Sequence, residues 1–134
     1  MNLSVQSRKR TELIEITASV QEIVSDSGIM KGLCIVYCPH TTAGITINEN
    51  ADPDVQMDME TYFESIVPWE NNYRHMEGNT AAHIKATVIG FSQTIPIRAG
   101  KFQLGTWQGI YFCEFDGPRS RQLIITLLPI AERI

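Results

Sequence analysis

Hydrophobic positions in this chain repeat mostly every second residue, the period of a strand buried on one face. Residues 3–7 and 12–16 follow this period and flank the basic run at residues 8–10, which predicts a hairpin. Residues 31–37 form a continuous apolar run that favours a buried strand, and residues 45–48 alternate again. These four segments are therefore predicted to be strands.

Three segments instead carry the signals of helices. Thr17, Asp52 and Asn79 are candidate N-caps, and Gly28 and Gly90 are candidate C-caps. The predicted helices cover residues 17–28, 53–66 and 79–89. From residue 91 onward the pattern is all strand, with a hairpin across Ala99-Gly100. These elements predict a single domain over residues 1–134. Its fold class is α+β, with about seven or eight mostly antiparallel strands and two or three helices, as two packed sheets or one curled sheet.

Composition narrows the function classes. The net charge of −4 argues against a nucleic-acid partner. No apolar run reaches the length of about 18 residues that a membrane helix needs, and the first residues lack the apolar core of a signal peptide. Three cysteines, in a chain of a size that needs no disulfides, fit a reducing cytoplasm.

His40 is the first of three histidines, all of which lie in clusters of polar residues. It follows a predicted buried strand and precedes Thr41 and Thr42, with Asn48 and Glu49 a few residues further on. A turn histidine bonded to a threonine or a backbone carbonyl is the simpler interpretation of His40 alone. Neutral imidazole is also the commonest metal ligand among protein side chains, so His40 is a candidate ligand.

His75 and His83 lie on either side of the predicted start of the third helix. With Asn79 as the N-cap, His83 falls near the first turn, and its side chain leans back toward the helix N-terminus. That direction leads to the loop that carries His75 and Glu77. The same geometry places two apolar residues of the helix against the core, Ile84 and Val88. A capping-region histidine paired with Glu77 is the alternative.

The joint clustering of the three histidines predicts a shared metal site. Three histidines and a water would make an open tetrahedral zinc-type site. Two histidines with Glu77 would suit zinc, manganese or iron. The spacing matches no sharp metal motif, so the support comes from the clustering alone.

The stretch Gly105-Thr106-Trp107-Gln108 does not look like ordinary core sheet. A glycine before a tryptophan permits close backbone approach or an unusual dihedral angle. A ligand contact is one interpretation of this stretch. A β-bulge with Trp107 plugging the core is the other.

Two acidic residues, Glu114 and Asp116, continue an apolar strand face and need cations or donors if they are buried. Arg119 and Arg121 follow directly, and guanidinium groups bind carboxylate or phosphate bidentately. Alternatively, the two arginines form surface ion pairs with Glu114 and Asp116, which would contribute little to stability. The chain has no G-x-x-x-x-G-K-[ST], G-x-G-x-x-G or G-x-S-x-G motif, so a nucleophilic serine or cysteine enzyme lacks direct support.

Pro39 through Gly44, Asn48-Glu49, His75 through His83 and Gly105 through Gln108 together resemble the YjbQ-like family, also called the secondary thiamine-phosphate synthase family. The resemblance covers nearly the whole chain. It implies an α+β fold dominated by a β-sandwich, a homotrimer, and a weak thiamine-phosphate synthase activity. That reaction joins a pyrimidine-methyl diphosphate to a thiazole phosphate with release of pyrophosphate.

We therefore hypothesise a small cytoplasmic enzyme for a phosphorylated small-molecule substrate, with neither nucleic acid nor membrane as a partner. A divalent metal would be held by His40, His75 and His83, with zinc favoured and magnesium or manganese as alternatives. The predicted catalytic residues are Glu49, Glu77 and Arg121. The predicted substrate-binding residues are Thr41, Thr42, Asn48, Asn79, Gly105, Thr106, Trp107, Gln108, Glu114, Asp116 and Arg119. A non-catalytic binding module for a phosphorylated metabolite and a metal-dependent hydrolase are the alternatives.

Overall fold

A computed structural model of the protein describes residues 1–131 and contains eight strands and three helices within them. In chain order the elements are β1 (Asn2–Gln6), β2 (Glu12–Glu15), α1 (Thr17–Ser27), β3 (Lys31–Tyr37), β4 (Ala43–Glu49), α2 (Pro53–Ile66), α3 (Thr80–Ile89), β5 (Ser92–Arg98), β6 (Lys101–Phe102), β7 (Gln108–Glu114) and β8 (Ser120–Pro129). The single-domain prediction also covers residues 132–134, which lie outside the described residues.

The strands form two antiparallel sheets. One has the order β1-β8-β3-β5-β6 and the other the order β2-β7-β4. Every strand pair in both sheets is antiparallel. The predicted α+β fold, with its antiparallel β-sandwich and its numbers of strands and helices, is confirmed.

Strand β7 is buried on both faces, because the small sheet is the middle layer of the molecule. Ile110 and Phe112 belong to the core shared with the large sheet and α1. Tyr111 and Cys113 belong to a second core, formed with residues of α2 and α3. An antiparallel strand covered on both faces loses the usual alternation of apolar and polar residues. This explains why residues 110–113 are apolar without a break.

The helix ends confirm three predicted caps and revise two others. Gly90 ends α3, and its backbone N–H donates to the Ala86 carbonyl oxygen (2.8 Å). The Asp52 side chain accepts a hydrogen bond from the Asp54 backbone (2.9 Å), and Gly28 ends α1 with φ of +76°. Thr17 is the first residue of α1 rather than its N-cap, and its Oγ1 accepts from the Ile110 backbone N–H (2.8 Å). Asn79 occupies the N-cap position of α3 but makes no capping bond with its side chain.

Helix α3 turns a different face to the core than the sequence predicted. Ile84 and Val88 are 37% and 69% exposed, so the prediction that they face the core was wrong. The buried residues are instead Ala81, Ala82, Lys85 and Ala86. Small side chains allow a helix to lie close to the sheet beneath it, so the alanines outweighed the larger apolar residues here. Lys85 is buried among them, and burial lowers the pKa of its amine despite the nearby Glu64.

The outer face of the large sheet carries a band of exposed apolar residues. On β3 and β8 the outward positions alternate with buried ones such as Cys34, Val36, Leu123 and Ile125. Tyr37, Ile124 and Leu128 remain 38–45% exposed within the described chain, and Leu33, Ile35 and Pro96 lie on the same face. We call these six residues the outer band.

Within residues 1–131, no helix is both long enough and apolar enough to cross a membrane.

Gly44 marks a close contact that fixes the end of α3 against β4. A Cβ added there would lie 2.5 Å from the Gly90 carbonyl oxygen, which also accepts from the Ile45 backbone N–H (3.1 Å). We expect Gly44→Ala to lower the free energy of unfolding by about 1–3 kcal/mol, because the backbone must move to relieve the overlap. Urea denaturation measures this change.

Gly105→Ala is the matched control. The added Cβ would lie 3.3 Å from the side chain of Gln108, which can move aside. Equal losses of stability in both variants would contradict the assignment of Gly44 as a close contact.

Candidate functional site

A buried ion pair joins the two sheets at one end of the sandwich. Arg121 on β8 points inward beside Glu114, the last residue of β7, and their side chains are 3% and 0% exposed. Arg121 Nε donates to Glu114 Oε1 (2.9 Å), and Nη2 donates to Glu114 Oε2 and to Thr42 Oγ1 (2.8 Å). The predicted need of Glu114 for a cation is met by Arg121, and the pair is not a surface ion pair.

Further donors complete the surroundings of the Glu114 carboxylate. Ser7 Oγ donates to Oε1 (2.8 Å), and the Asp116 backbone N–H donates to Oε2 (3.0 Å). Burial alone would raise the pKa of Glu114, but the hydrogen bonds from Arg121, Asp116 and Ser7 outweigh it and hold the pKa below its usual value. Glu114 is therefore a fixed anion that orients Arg121.

An open polar pocket lies next to this ion pair and gathers residues from three separate stretches of the chain. The β3–β4 connection, the loop before α3 with the start of α3, and the β7–β8 turn with the start of β8 all contribute. The lining residues are Pro39, His40, Thr41, Thr42, His75, Glu77, Asn79, His83, Asp116, Arg119 and Arg121. The pocket thus brings all three histidines together with both predicted arginines.

His75 and His83 contact each other inside this pocket. Their ring centroids are 5.4 Å apart and the rings are nearly perpendicular. His75 Nε2 lies 4.0 Å from Glu77 Oε1, and both of these side chains remain substantially exposed. The predicted meeting of His83 with the loop of His75 and Glu77 is thus seen in the structure, although Ile84 and Val88 do not face the core.

His40 is held by the backbone of the neighbouring strand β8. Its Nε2 lies 3.1 Å from both the carbonyl oxygen and the backbone nitrogen of Gln122. The ring nitrogen either donates to the first or accepts from the second. Burial lowers the pKa of His40, and the charge of Arg121 lowers it further, so the neutral imidazole is favoured. Among the described residues, Nδ1 of His40 has no hydrogen-bond partner.

Asn79, Asp116 and Arg119 form the opposite rim of the pocket. Asn79 Nδ2 donates to Asp116 Oδ2 (2.9 Å), whereas Oδ1, the atom that would cap the helix, is buried without a hydrogen-bond partner among the described residues. Arg119 Nη2 also donates to Asp116 Oδ2 (3.1 Å), and its Nε donates to the Asp116 carbonyl oxygen (2.9 Å). This guanidinium is 49% exposed and faces the open pocket.

The donor set of the pocket suits a divalent metal, because three imidazoles and the carboxylates of Glu77 and Asp116 line one cavity. As placed, no three His, Cys, Asp or Glu side chains in residues 1–131 are close enough together to hold an ion. His75 and Glu77 stand on an irregular loop and are 45% and 74% exposed, so side-chain rotation is open to them. The residues therefore match a metal site by their donor atoms and by lining the same pocket, but not by their distances.

The remaining predicted site residues lie elsewhere. Residues 105–108, with Asn48 and Glu49 beside them, stand at the far end of β7 from Glu114. Glu49 pairs with Gln108, whereas Ala43 pairs with Glu114. Trp107 is 63% exposed, so it is not a core plug. The structure does not bring this group to the histidine pocket of the same chain.

Sequence reasoning missed two residues that support the pocket. Ser7 donates to Glu114 from the end of β1, and the backbone of Gln122 holds His40. Neither had a local signal, because Ser7 looked like the last residue of an ordinary strand. The strand pairing of β1 with β8 brings Ser7 into place.

Fold and site together define a two-sheet α+β protein with a histidine- and arginine-lined pocket at one end of its sandwich. The chain matches the family model described as UPF0047 protein YjbQ-like over residues 1–129. It belongs to this family.

Relatives from bacteria and archaea agree with that assignment. The chain is 54% identical over 127 residues to the UPF0047 protein YugU of Bacillus subtilis (strain 168), covering 94% of this chain and 96% of the relative. It is 48% identical over 124 residues to a UPF0047 protein of Methanocaldococcus jannaschii, covering 92% and 90%.

Solved structures share the fold. An uncharacterized conserved YjbQ/UPF0047 family protein from Clostridium acetobutylicum superimposes with a TM-score of 0.93 at 49% identity, over 96% of this chain and 99% of that chain. A hypothetical protein from Aeropyrum pernix K1 gives a TM-score of 0.92 at 35% identity, over 97% and 98%.

Removing Arg121, the cation of the buried pair, should destabilise the protein far more than removing Arg119 on the pocket rim. We expect Arg121→Ala to lower the free energy of unfolding by about 3–5 kcal/mol, because Glu114 is left buried without its partner. Arg119→Ala should cost less than about 1 kcal/mol, because its pair with Asp116 is solvated. Urea denaturation of both variants checks the contrast, and similar losses would contradict it.

The stability of the protein should also depend on the charge of Glu114 in acid. Its pKa in the folded state lies below the ordinary value of 4.5, so the folded state favours the ionised form. The stabilisation is complete above the unfolded-state pKa and is lost as pH falls through the lower folded-state pKa. Urea midpoints measured from about pH 6 down to about pH 3 should fall more steeply for the wild type than for Glu114→Gln. Parallel curves would rule out Glu114 as a source of the acid sensitivity.

Proposed function

We propose that this protein is a small enzyme that binds a phosphorylated metabolite in the histidine pocket, with thiamine-phosphate synthesis as a side activity. The observation that carries the proposal is the convergence of three histidines and two arginines on one open cavity. A homotrimer and a cytoplasmic location, which the family resemblance and the cysteine content imply, are part of the same proposal.

The two arginines give the pocket complementary ways to hold an anion. Arg121 is locked by Glu114 and Thr42 through Nε and Nη2, and its Nη1 has no partner among the described residues. Arg119 is half exposed and anchored at one side by Asp116. A buried donor beside a half-exposed one suits a phosphate group that must be held and later released.

A divalent metal, when bound by His40, His75 and His83, would supply a Lewis acid for the phosphate oxygens. The chain's own contribution is orientation. The backbone of Gln122 fixes the His40 ring, and the low pKa of His40 keeps it in the neutral form that ligates metals. His75 and His83 support each other by ring contact.

The named reaction needs positive charge where pyrophosphate leaves, and we assign that role to Arg119 and Arg121 because both line the pocket. Glu77 is the exposed carboxylate at this pocket and is the candidate to accept or donate a proton there. Glu49, predicted as a second catalytic carboxylate, stands at the other end of the small sheet. Within one chain, general acid–base chemistry therefore rests on Glu77.

A binding module remains the second candidate because of one observation. Asp116 is tied to Asn79 and to Arg119, and Glu114 is buried in its ion pair. Two of the acids near the pocket thus serve structure rather than proton transfer. A protein that only holds a phosphorylated ligand would have this distribution of charges.

Metal content tests the histidine site directly. We expect the purified protein to bind zinc with a stoichiometry that His40→Ala, His75→Ala and His83→Ala each reduce, measured by elemental analysis after loading and dialysis. Met76→Ala in the same loop, where the side chain is 99% exposed, is the matched control and should bind zinc normally. Unchanged zinc in all three histidine variants would eliminate the metal site.

Pyrophosphate release from a pyrimidine-methyl diphosphate and a thiazole phosphate tests the reaction. We expect Arg119→Ala to lower kcat/KM about tenfold or more, because one charged hydrogen bond to the phosphate is lost. Arg98→Ala, at the β5–β6 hairpin, should have no effect. Tight binding of phosphorylated ligands without turnover would favour the binding module, and phosphate release without a thiazole acceptor would favour a hydrolase.

A further inference from the structure

The residues singled out by sequence form two groups that a single chain keeps apart. The histidine pocket lies at the Glu114 end of β7, and the Trp107 turn, residues 105–108, lies at the other end. Six residue steps along a strand separate these ends, which at about 3.3 Å per residue is about 20 Å. We propose that the Trp107 turn of a second copy of this chain completes the histidine pocket.

The Trp107 turn is held rigidly although its indole is exposed. The Asn50 backbone N–H donates to the Trp107 carbonyl (2.8 Å), and Gln108 Oε1 accepts from the Gly105 backbone N–H (2.8 Å). The Gln108 backbone N–H closes the turn on the Gly105 carbonyl (3.0 Å). The backbone of the turn is thus fixed, and a tryptophan side chain, 63% exposed here, has only two rotatable bonds and loses little conformational entropy on binding. It is therefore suited to anchor a contact with another surface.

The histidine pocket lacks what the Trp107 turn offers. Pro39 is the one apolar residue among its lining side chains in the described chain. A ligand with a flat ring, as the proposed function requires, needs an apolar wall as well as polar contacts. This step rests on the proposed function, and an indole brought by a second copy would supply the wall.

The outer band offers an apolar surface against which a second copy can pack. It includes Tyr37 at the end of β3, three residues before His40, and Ile124 on β8, two residues after Gln122. The Gln122 backbone in turn holds His40. The exposed apolar surface therefore reaches the rim of the pocket, and a chain packed on it would approach the histidines.

Charge favours a second copy of this chain as the occupant. The surface around the Trp107 turn carries Glu15 and Glu49, whose strands pair with β7 beside the turn. The pocket carries Glu77 and Asp116 as well as its arginines, and the half-exposed guanidinium of Arg119 is the cation that an incoming indole or carboxylate can meet. One copy thus offers an exposed aromatic ring flanked by acids, and the next offers an exposed guanidinium. Such a head-to-tail contact joins different surfaces and closes into a ring when its rotation allows, so every copy both gives a Trp107 and receives one.

Fluorescence tests the contact without any substrate. In a Trp69→Phe background, Trp107 is the single tryptophan, and its emission reports its own surroundings. We expect Arg119→Ala in this background to shift the Trp107 emission maximum, because the guanidinium would lie beside the indole of the neighbouring copy. Asp26→Ala, on the exposed side of α1 and away from the outer band, is the control and should leave the emission unchanged. Within one chain, Arg119 is too far away to act.

Sedimentation of the same proteins completes the test. The assembly should be larger than one chain, and Trp107→Ala should shift it toward smaller species while the far-ultraviolet circular dichroism stays unchanged. Dilution that dissociates the assembly should move the emission of Trp107 to longer wavelength. A monomeric protein, or an oligomer whose Trp107 emission ignores Arg119→Ala, would overturn the proposal.

The two proposals fail separately in these experiments. An assembled ring with the expected emission shift but no turnover of any phosphorylated substrate would remove the proposed function alone. Turnover by a monomer with an exposed Trp107 would remove the contact alone.

Discussion

The ion pair between Glu114 and Arg121 is the interaction on which the architecture of the site depends. It lies where the small sheet meets the large one, and both side chains are buried. Charges buried in this way need hydrogen bonds beyond those of the pair itself. Thr42, Ser7 and the Asp116 backbone provide them, and they come from three different segments of the chain. One carboxylate therefore ties together the strands that carry most of the pocket.

The architecture itself was readable from the sequence, because alternation and caps are local signals. The hairpin at Ala99-Gly100, the proline-led start of α2 and the end of α1 at Gly28 all followed from a few neighbouring residues. The orientation of α3 did not. Helical spacing counted from Asn79 suggested that Ile84 and Val88 would be buried, whereas the close approach of the helix to its sheet selected the alanines.

The site shows the same division between local and long-range information. His75, Glu77 and His83 meet across a helix start, so their proximity was predictable from spacing. His40 joins them only because β3, β8 and β7 pair as they do, which no local pattern reveals. The charge and burial of Arg121 could be suspected from its neighbours, but its partner depended on how the two sheets stack. Pairings between distant strands are decided by the whole fold rather than by any segment.

His40 is held by the main chain of Gln122 rather than by a side chain. A main-chain anchor is present whatever amino acid occupies position 122. The Gln122 side chain points outward and donates to Ser4, so it plays no part in holding the imidazole. In evolution, residue 122 can therefore be substituted while the position of the His40 ring is retained. The fold thus separates the part of β8 that must be kept from the part that is free to change.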